Sequence, residues 1–309
     1  MNVSEGDYLI GNQPLVSIIT LNYNQAVVTA AFLESSRGLR YKNYEILVCD
    51  MASVQSPLKT FNPADYPNTR LLLSDKNLGF AGGNNWGMRQ ARGEFIFIVN
   101  NDTELTPDII QKLLYPFSKN PIIGVVCPKI KYYADRSIIQ YAGFRPMNML
   151  TGRTSTIGDL EADRGQYNVA GPTQGAHGCA MMIKRDVVDK TGMFPEKFFL
   201  YYEEWDWSMR IEKAGYLIWY QPEATIYHKE SMSVGRENPV KAYYHTRNRI
   251  LFMRRNSSWI QLLAFSFFFT FISLPKAMFS YVKNRQYSQL KWFLKGIGYN
   301  LTHNSGSVI

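Results

Sequence analysis

The run Phe95-Ile96-Phe97-Ile98-Val99 stops abruptly at Asn100-Asn101-Asp102, and few folds have a place for such a stretch. Side chains without a polar atom, rich in Ile, Val and Phe, read as a strand buried on both faces of a parallel sheet. Ligands of open α/β sheets bind outside the carboxyl ends of such strands, so Asn100, Asn101 and Asp102 stand where a substrate or metal is held. A helix cap after the strand is the alternative. Thr106-Pro107 makes the better cap, with Pro107 at the first helical position and Asp108 in the first turn, which leaves Asp102 for function.

The same pattern recurs along the chain. Val16 to Leu21 reads as a strand ending in Asn22-Tyr23-Asn24, followed by a helix from Ala26 to Arg37 that stops at Gly38. Glu45 to Cys49 ends at Asp50, and Arg70 to Leu73 runs into Ser74-Asp75-Lys76-Asn77. Polar groups at successive strand ends predict one shared crevice along a doubly wound α/β sheet. The glycine-rich stretch Asn77 to Gly87 opens a helix reaching about Arg92, and its glycines permit close approach to a phosphate or sugar at a helix amino terminus. It is neither the dinucleotide pattern, which follows the first strand directly, nor a P-loop, which needs G-K-[ST]. A helix from Pro107 to Lys119 and a strand from Ile122 to Val126 follow. Residues 128–170 show no helical period and read as strands and loops shaping an acceptor site, with no residue singled out. Gln174 to Ile183 feeds a strand, and His177, among small residues beside it, is more often structural than catalytic.

A second cluster, Tyr202-Glu203-Glu204-Trp205-Asp206, sets three carboxylates among large aromatics at the start of a helix that ends at Gly215. Lost solvation raises a carboxyl pKa and improves it as a general base, while one of the three acids can serve the helix dipole alone. Leu217 to Gln221 reads as a strand, Pro222 as a turn, and Ile226-Tyr227 leads to His228, a neutral nitrogen ligand suited to a divalent metal beside a carboxylate. The polar segment from Lys229 to Arg236 has the composition of a flap closing over substrate.

The order of these features resembles the GT-A-fold inverting glycosyltransferases of family 2, particularly their rhamnosyltransferase-like and galactofuranosyltransferase-like bacterial members. The resemblance runs from about Leu15 to Asn256. It implies a Rossmann-like, mainly parallel sheet with helices on both faces, and a catalytic domain over 1–256. Thr20, Asn22 and Tyr23 fall at the family's first strand end. Asp50, in Val48-Cys49-Asp50-Met51-Ala52-Ser53, falls at its nucleobase site, with Met51 where Asn is usual. Asn77, Gly79, Phe80, Gly83 and Asn84 match its donor loop. Asn100-Asn101-Asp102 corresponds to its D-x-D metal motif with an amide in place of the first acid. The resemblance therefore implies Mg²⁺ or Mn²⁺ held by Asp102, His228 and Asn100, with Asn101 at the donor. Glu204 falls at the catalytic base, one methylene longer than the usual Asp, with Asp206 and Glu203 as alternatives. Tyr243-Tyr244-His245-Thr246-Arg247-Asn248-Arg249 resembles its Y-Y-x-x-R-N-R helix, where Arg247 faces the diphosphate or acceptor, or is a surface charge. The implied donor is a dTDP- or UDP-linked sugar, and the implied acceptor is a glycan or a polyprenyl-linked hydroxyl in bacterial surface polysaccharide synthesis. A GT-A binding or scaffold protein and a sugar nucleotidyltransferase are the competing readings.

Charge is unevenly spread over the chain's formal +9. After Glu237 no acid occurs, while Lys241, Arg247, Arg249, Arg254, Arg255, Lys276, Lys283, Arg285, Lys291 and Lys295 follow. Charge alone fits nucleic acid, anionic lipid or phosphorylated substrate; the resemblance turns the expectation from nucleic acid to an anionic membrane surface. Trp259 to Pro275 is free of formal charge and slightly short of the about 20 residues of a spanning helix. Basic residues on both sides disfavour a span, so 257–309 is expected to be a helical, membrane-associating tail, with Trp292, Phe293 and Ile297 in a second interfacial helix. A helical pair buried on the catalytic domain is the alternative. Cys49, Cys127 and Cys179 lack metal or redox spacing and read as buried thiols of a reducing compartment. Met1 to Gln13 has no basic start and no apolar core of signal-peptide length, as expected of a catalytic part on the cytoplasmic face of the inner membrane, peripheral or monotopic.

Overall fold

The computed structural model describes residues 13–229 and 238–305. Residues 1–12, 230–237 and 306–309 therefore lie outside the described residues, among them all but Lys229 of the segment read above as a flap. In chain order the elements are β1 (Val16–Asn22), α1 (Ala26–Ser36), β2 (Tyr44–Asp50), β3 (Thr69–Leu73), α2 (Gly79–Gln90), β4 (Phe95–Val99), β5 (Thr103–Leu105) and α3 (Ile109–Lys119). Then come β6 (Ile123–Tyr132), β7 (Ile139–Tyr141), β8 (Gly171–Pro172), β9 (Ala180–Lys184), α4 (Arg185–Thr191), α5 (Glu203–Lys213) and β10 (Leu217–His228). The last four are α6 (Pro239–Asn256), α7 (Trp259–Phe268), α8 (Leu274–Lys283) and α9 (Tyr287–Thr302).

The strands form one sheet in the order β3-β2-β1-β4-β9-β6-β10-β5, with β7 on β6 and β8 on β10. The first half is parallel: β1 pairs with β2 on one side and β4 on the other, and β2 pairs with β3. The chain order reverses at β1, so the carboxyl ends of β1 and β4 flank the crevice. β1, β2 and β4 are almost wholly buried, as uninterrupted apolar runs require when helices cover both faces. Beyond β4 the sheet is mixed rather than mainly parallel, because β9 runs antiparallel between β4 and β6.

Three local readings differ from the structure. α3 begins at Ile109, not Pro107: the Thr106 hydroxyl donates to the Thr225 carbonyl at 2.8 Å, and Asp108 pairs with Arg40 at 3.1 Å without capping the helix. Pro222 does not turn the chain, since β10 runs through it with a register shift between Gln221 and Thr225, the bulge that accommodates a missing N–H. β6 continues to Tyr132, well past Val126, and the unreadable region supplies β7 as its partner.

Two apolar clusters organise the interior. The larger one lies across the sheet and its flanking helices. The second joins Phe198 and Trp205 to Leu251, Phe252 and Met253 of α6, and to Phe265, Phe269 and Phe293 of the tail. Phe293 and Ile297 on α9 thus face α6, and Trp292 packs edge-on to Tyr243 at 5.7 Å. The expected second interfacial helix is instead a packing helix. Asn300 reaches the Arg247 carbonyl at 2.9 Å, which a lipid-facing helix could not use.

Candidate functional site

The crevice is wired by a chain of buried hydrogen bonds. Asn101 Nδ2 donates to Thr29 Oγ1 at 2.8 Å, Thr29 Oγ1 donates to Asn22 Oδ1 at 2.8 Å, and Asn22 Nδ2 donates to Asp50 Oδ1 at 2.5 Å. Parallel register sets this up by placing Asn22 beside Asp50 at the strand ends. Ser53 completes the grip through its hydroxyl, 2.6 Å from Asp50 Oδ1, and its amide, 3.0 Å from Oδ2. Asn22 and Asn101 therefore orient the crevice wall, and the exposed ring of Tyr23 stands at its mouth. Thr20 is fully buried on β1, and its hydroxyl lacks a partner among the described residues.

The glycine-rich stretch has a different local role from the one expected. Asn77 Oδ1 accepts the Gly79 amide at 2.8 Å, but the Phe80 and Ala81 amides both donate to the Phe199 carbonyl, at 2.7 and 3.3 Å. The amino terminus of α2 is thus satisfied by protein. A Cβ on Gly79, at φ +70°, would lie 2.5 Å from the Phe199 carbonyl, and one on Gly83 would lie 2.8 Å from Met51 Sδ. These glycines permit close packing of α2 on the strand ends and the Phe199 turn. Phe80 packs on Phe194, and Asn84 donates to the Phe80 carbonyl at 2.9 Å while its Oδ1 is buried without a partner.

Antiparallel pairing of β10 with β5 sets His228 opposite Thr103, so Asp102 and His228 meet across 126 positions of sequence. His228 Nε2 lies 3.1 Å from Asp102 Oδ1, and both side chains are buried. His228 Nδ1 is 2.7 Å from Gln140 Oε1, a contact that orients the imidazole with Nε2 toward Asp102. Asp102 Oδ1 has no aligned hydrogen-bond donor. Burial disfavours charge on His228, yet neighbouring Cys179 and Asp102 raise it to about 11, so the position attracts positive charge. A carboxylate and an imidazole nitrogen meeting at a buried point suit a divalent cation, which would replace the proton between them, with Asn100 half-buried at the same turn. Among the described residues no cluster of three or more His, Cys, Asp or Glu side chains forms a closed cage. That leaves coordination positions for a ligand's oxygens.

His177 is not part of this pair. Its ring stacks on Phe144 at 5.4 Å, its Nδ1 accepts the Cys179 amide at 3.1 Å, and burial pushes it down to about 3, so it is neutral.

The acid cluster opens α5 behind a strained turn. Phe199, Tyr201 and Tyr202 have φ of +63°, +71° and +74°, a conformation that costs bulky residues on the order of 1–3 kcal/mol each. Asn248 holds the turn, its Nδ2 lying 2.9, 2.7 and 2.8 Å from the carbonyls of Phe198, Leu200 and Tyr201. Arg247 Nη2 donates to the Lys197 and Phe198 carbonyls at 2.6 Å, and the side chain is buried. Arg247 therefore braces the turn before α5 and is not a surface charge.

Each acid of the cluster has its own environment. Asp206 is tied to Arg255 at 2.7 Å, Asn256 at 2.9 Å and Arg210 at 3.4 Å, a buried ion-pair network that joins α5 to the end of α6. Glu203 is buried, its Oε2 has no partner, and desolvation and neighbouring Glu204 hold its pKa well above the carboxylate range. Glu204 is half-buried, and burial raises its pKa too. It is the only one of the three acids with partial exposure. Sequence reading missed Gln140, Thr29 and Asn248. Gln140 lay in the stretch without periodicity, and Thr29 and Asn248 carry no local pattern that marks their partners.

Comparison with known proteins fits this geometry. A family model described as Glycosyl transferase family 2 matches residues 17–192, more than half of the chain. The chain belongs to that family and is a glycosyltransferase with a nucleotide-sugar-type α/β fold. It is 25% identical over 267 residues to the N-acetylglucosaminyl-diphospho-decaprenol L-rhamnosyltransferase of Mycobacterium tuberculosis, covering 79% of this chain and 86% of that one. It is 28% identical over 251 residues to protein y4gI of Sinorhizobium fredii, covering 78% of this chain and only 27% of that much longer protein. Among solved structures it resembles the mannosyltransferase PcManGT of Pyrobaculum calidifontis in complex with GDP-Man and Mn²⁺. There the TM-score is 0.58 at 15% identity, with 94% of this chain and 88% of that one covered. At that identity the likeness establishes the GT-A fold alone.

Proposed function

We propose that the protein transfers a sugar, rhamnose or another hexose, from a dTDP- or UDP-linked donor to a hydroxyl of a glycan or lipid-linked acceptor, with inversion at the anomeric carbon. The observation that carries this reading is the Asp102–His228 pair, converging at 3.1 Å beside the crevice into which β1, β2 and β4 deliver polar ends. Asp50, gripped by Asn22 and Ser53, presents a fixed carboxylate to the nucleobase end. Asp102 and His228, with Asn100, would hold Mg²⁺ or Mn²⁺, which when bound would offset charge on the departing diphosphate. Glu204 accepts the proton of the acceptor hydroxyl from the opposite side of the anomeric carbon, and its raised pKa suits it as a base near neutral pH. Glu203, carrying its own proton, and Asp206, engaged with arginine, leave that role to Glu204. No covalent enzyme intermediate is required.

The apolar tail supports the reading that this chemistry takes place at a membrane surface. Trp259 to Lys283 form a continuous helical run of 25 residues, long and apolar enough by length and composition to cross a membrane. Leu262, Phe265, Phe269, Leu274, Ala277 and Tyr281 form one narrow stripe along that run against the second cluster, while most of the run's surface stays exposed. The opposite face exposes Ile260, Leu263, Phe267, Phe271, Phe279 and Val282. A helix held lengthwise lies in the interface plane instead of spanning, and flanking lysines favour an anionic, cytoplasmic leaflet.

A panel of dTDP- and UDP-linked sugars, assayed with Mg²⁺ or Mn²⁺ for nucleoside diphosphate release, tests the reading. Release from at least one donor is expected, and Glu204→Gln should lower transfer by about 100-fold or more while donor binding persists. Pyrophosphate release in its place would mean nucleotidyl transfer. Near-normal turnover of Glu204→Gln would remove Glu204 as the base.

A further inference from the structure

A cavity of about 890 Å³ lies between α6 and the α7–α8 run, away from the Asp102–His228 pair. Its wall holds Arg153, Lys241, Arg249 and Lys276, and no Asp or Glu lines it among the described residues. None of the four makes an ion pair with a described residue. Arg249 is 5% exposed. Its Nε donates to the Thr151 carbonyl at 2.6 Å and its Nη1 to Ser273 Oγ at 3.1 Å, while buried Nη2 has no partner. Burial first, and then the facing Arg153, push Arg249 down to about 10, as expected where cations converge without a counter-charge. Such an arrangement is costly unless an anion completes it.

The cavity also has an apolar continuation. Phe268 and Ile272 line both the cationic cavity and a neighbouring hollow of about 500 Å³, whose other walls are Leu150, Ile260, Leu263, Ala264 and Phe267. Between α7 and α8 the helix widens into a π-turn, Phe269–Ser273, just before Pro275, which cannot donate to the preceding turn. The π-turn brings Ile272 to the apolar side and Ser273 to Arg249. At the other end, Tyr202 forms part of the cavity wall and immediately precedes Glu203 and Glu204. The cavity therefore runs from exposed apolar helix, past cations, to Tyr202, the residue that precedes the acid cluster in the chain.

We infer that this cavity binds an amphiphile with a phosphate or diphosphate head and a hydrocarbon chain, the head on Arg153, Lys241, Arg249 and Lys276 and the chain over Phe268 and Ile272. Its identity as the sugar acceptor rests on the transferase reading above; its binding does not. Guanidinium and ammonium groups lining one cavity recognise a phosphate through charge-assisted hydrogen bonds. The adjoining hollow distinguishes a lipid phosphate from a free one, because only the former buries chain carbons there.

The test is calorimetric titration of the full chain with geranyl diphosphate and, separately, with inorganic pyrophosphate. Geranyl diphosphate should bind, and the variant carrying Arg153→Gln, Lys241→Gln and Lys276→Gln, all away from the buried core, should weaken it by about tenfold or more. Ile272→Ser should weaken geranyl diphosphate and leave pyrophosphate unaffected. Unchanged affinity in the triple variant, displacement of geranyl diphosphate by UDP, or pyrophosphate binding as tightly as geranyl diphosphate would each overturn the assignment. Nucleoside diphosphate release is scored independently. If no donor turns over while geranyl diphosphate binding still depends on the three cations, the transferase reading fails and the cavity assignment stands. Donor turnover with variant-insensitive binding sinks the cavity assignment alone.

Discussion

Glu203 illustrates how one side chain can be read in two ways. In the sequence it is an alternative to Glu204 in a cluster of three acids. In the fold it is buried with an unpartnered oxygen and a pKa well above the carboxylate range. The sign of its effect on stability follows. The folded state keeps a proton that the unfolded chain releases, so Glu203 lowers stability as pH rises above the unfolded carboxyl value, by about 1.4 kcal/mol for each unit of raised pKa. Glu203→Gln should raise the melting temperature at pH 8 more than at pH 5, measured by scanning calorimetry at both. An equal gain at the two pH values would show that Glu203 does not carry a buried proton. His228 and Asp102 were legible as ligand types, whereas Gln140, which turns the imidazole, was not. A glutamine in an aperiodic stretch becomes informative only when β7 pairs with β6 and brings it beneath β10.

At the scale of an element, the turn before α5 depends on α6. Asn248 contacts three carbonyls of a turn that contains three left-handed aromatic residues, and Arg247 holds two more carbonyls. Asn248→Ala removes the donor and leaves buried carbonyls unpaired, a loss of about 1–3 kcal/mol. The expected result is a lower denaturation midpoint together with a fall of about tenfold or more in kcat, since Glu204 follows the released turn directly; nucleotide binding at the β1–β2 end should persist. A kcat equal to that of the parent would show that the turn keeps its geometry without Asn248. The Y-Y-x-x-R-N-R stretch was visible as a pattern, but its grip on the turn before α5 was not. A charged side chain on a predicted helix carries no mark of which face is buried until the neighbouring turn is in place.

Considered as a whole molecule, the basic excess is only partly available to a partner. Arg255 pairs with Asp206, Arg254 donates to the carbonyls of Asn300 and His303, and Arg247 is buried among Tyr243, Tyr244 and Tyr299. The cations of α6 that looked like a continuous basic tail thus knit α5, α6 and α9 together. The exposed apolar face of α7 and α8 is what remains for a lipid surface. Replacing Leu263, Phe267 and Phe271 by Glu leaves the packed face untouched and should reduce sedimentation with anionic vesicles by about tenfold or more, at an unchanged melting temperature. Undiminished vesicle binding would show that this face does not contact lipid.

The sequence by itself determined which residues become strands and what chemistry stands at their ends. Apolar runs such as Phe95 to Val99 have no other stable place than a covered sheet, and the polar side chains that stop them must then face the crevice. Tertiary structure decided the rest. Asp102 meets His228 only because β5 and β10 pair antiparallel, Asp206 differs from Glu204 in environment only because Arg255 arrives from α6, and the tail touches the protein only because one stripe of α7 and α8 completes the second cluster. Strand formation follows from local periodicity, whereas pairing of distant side chains depends on register and packing, which no local stretch of sequence contains.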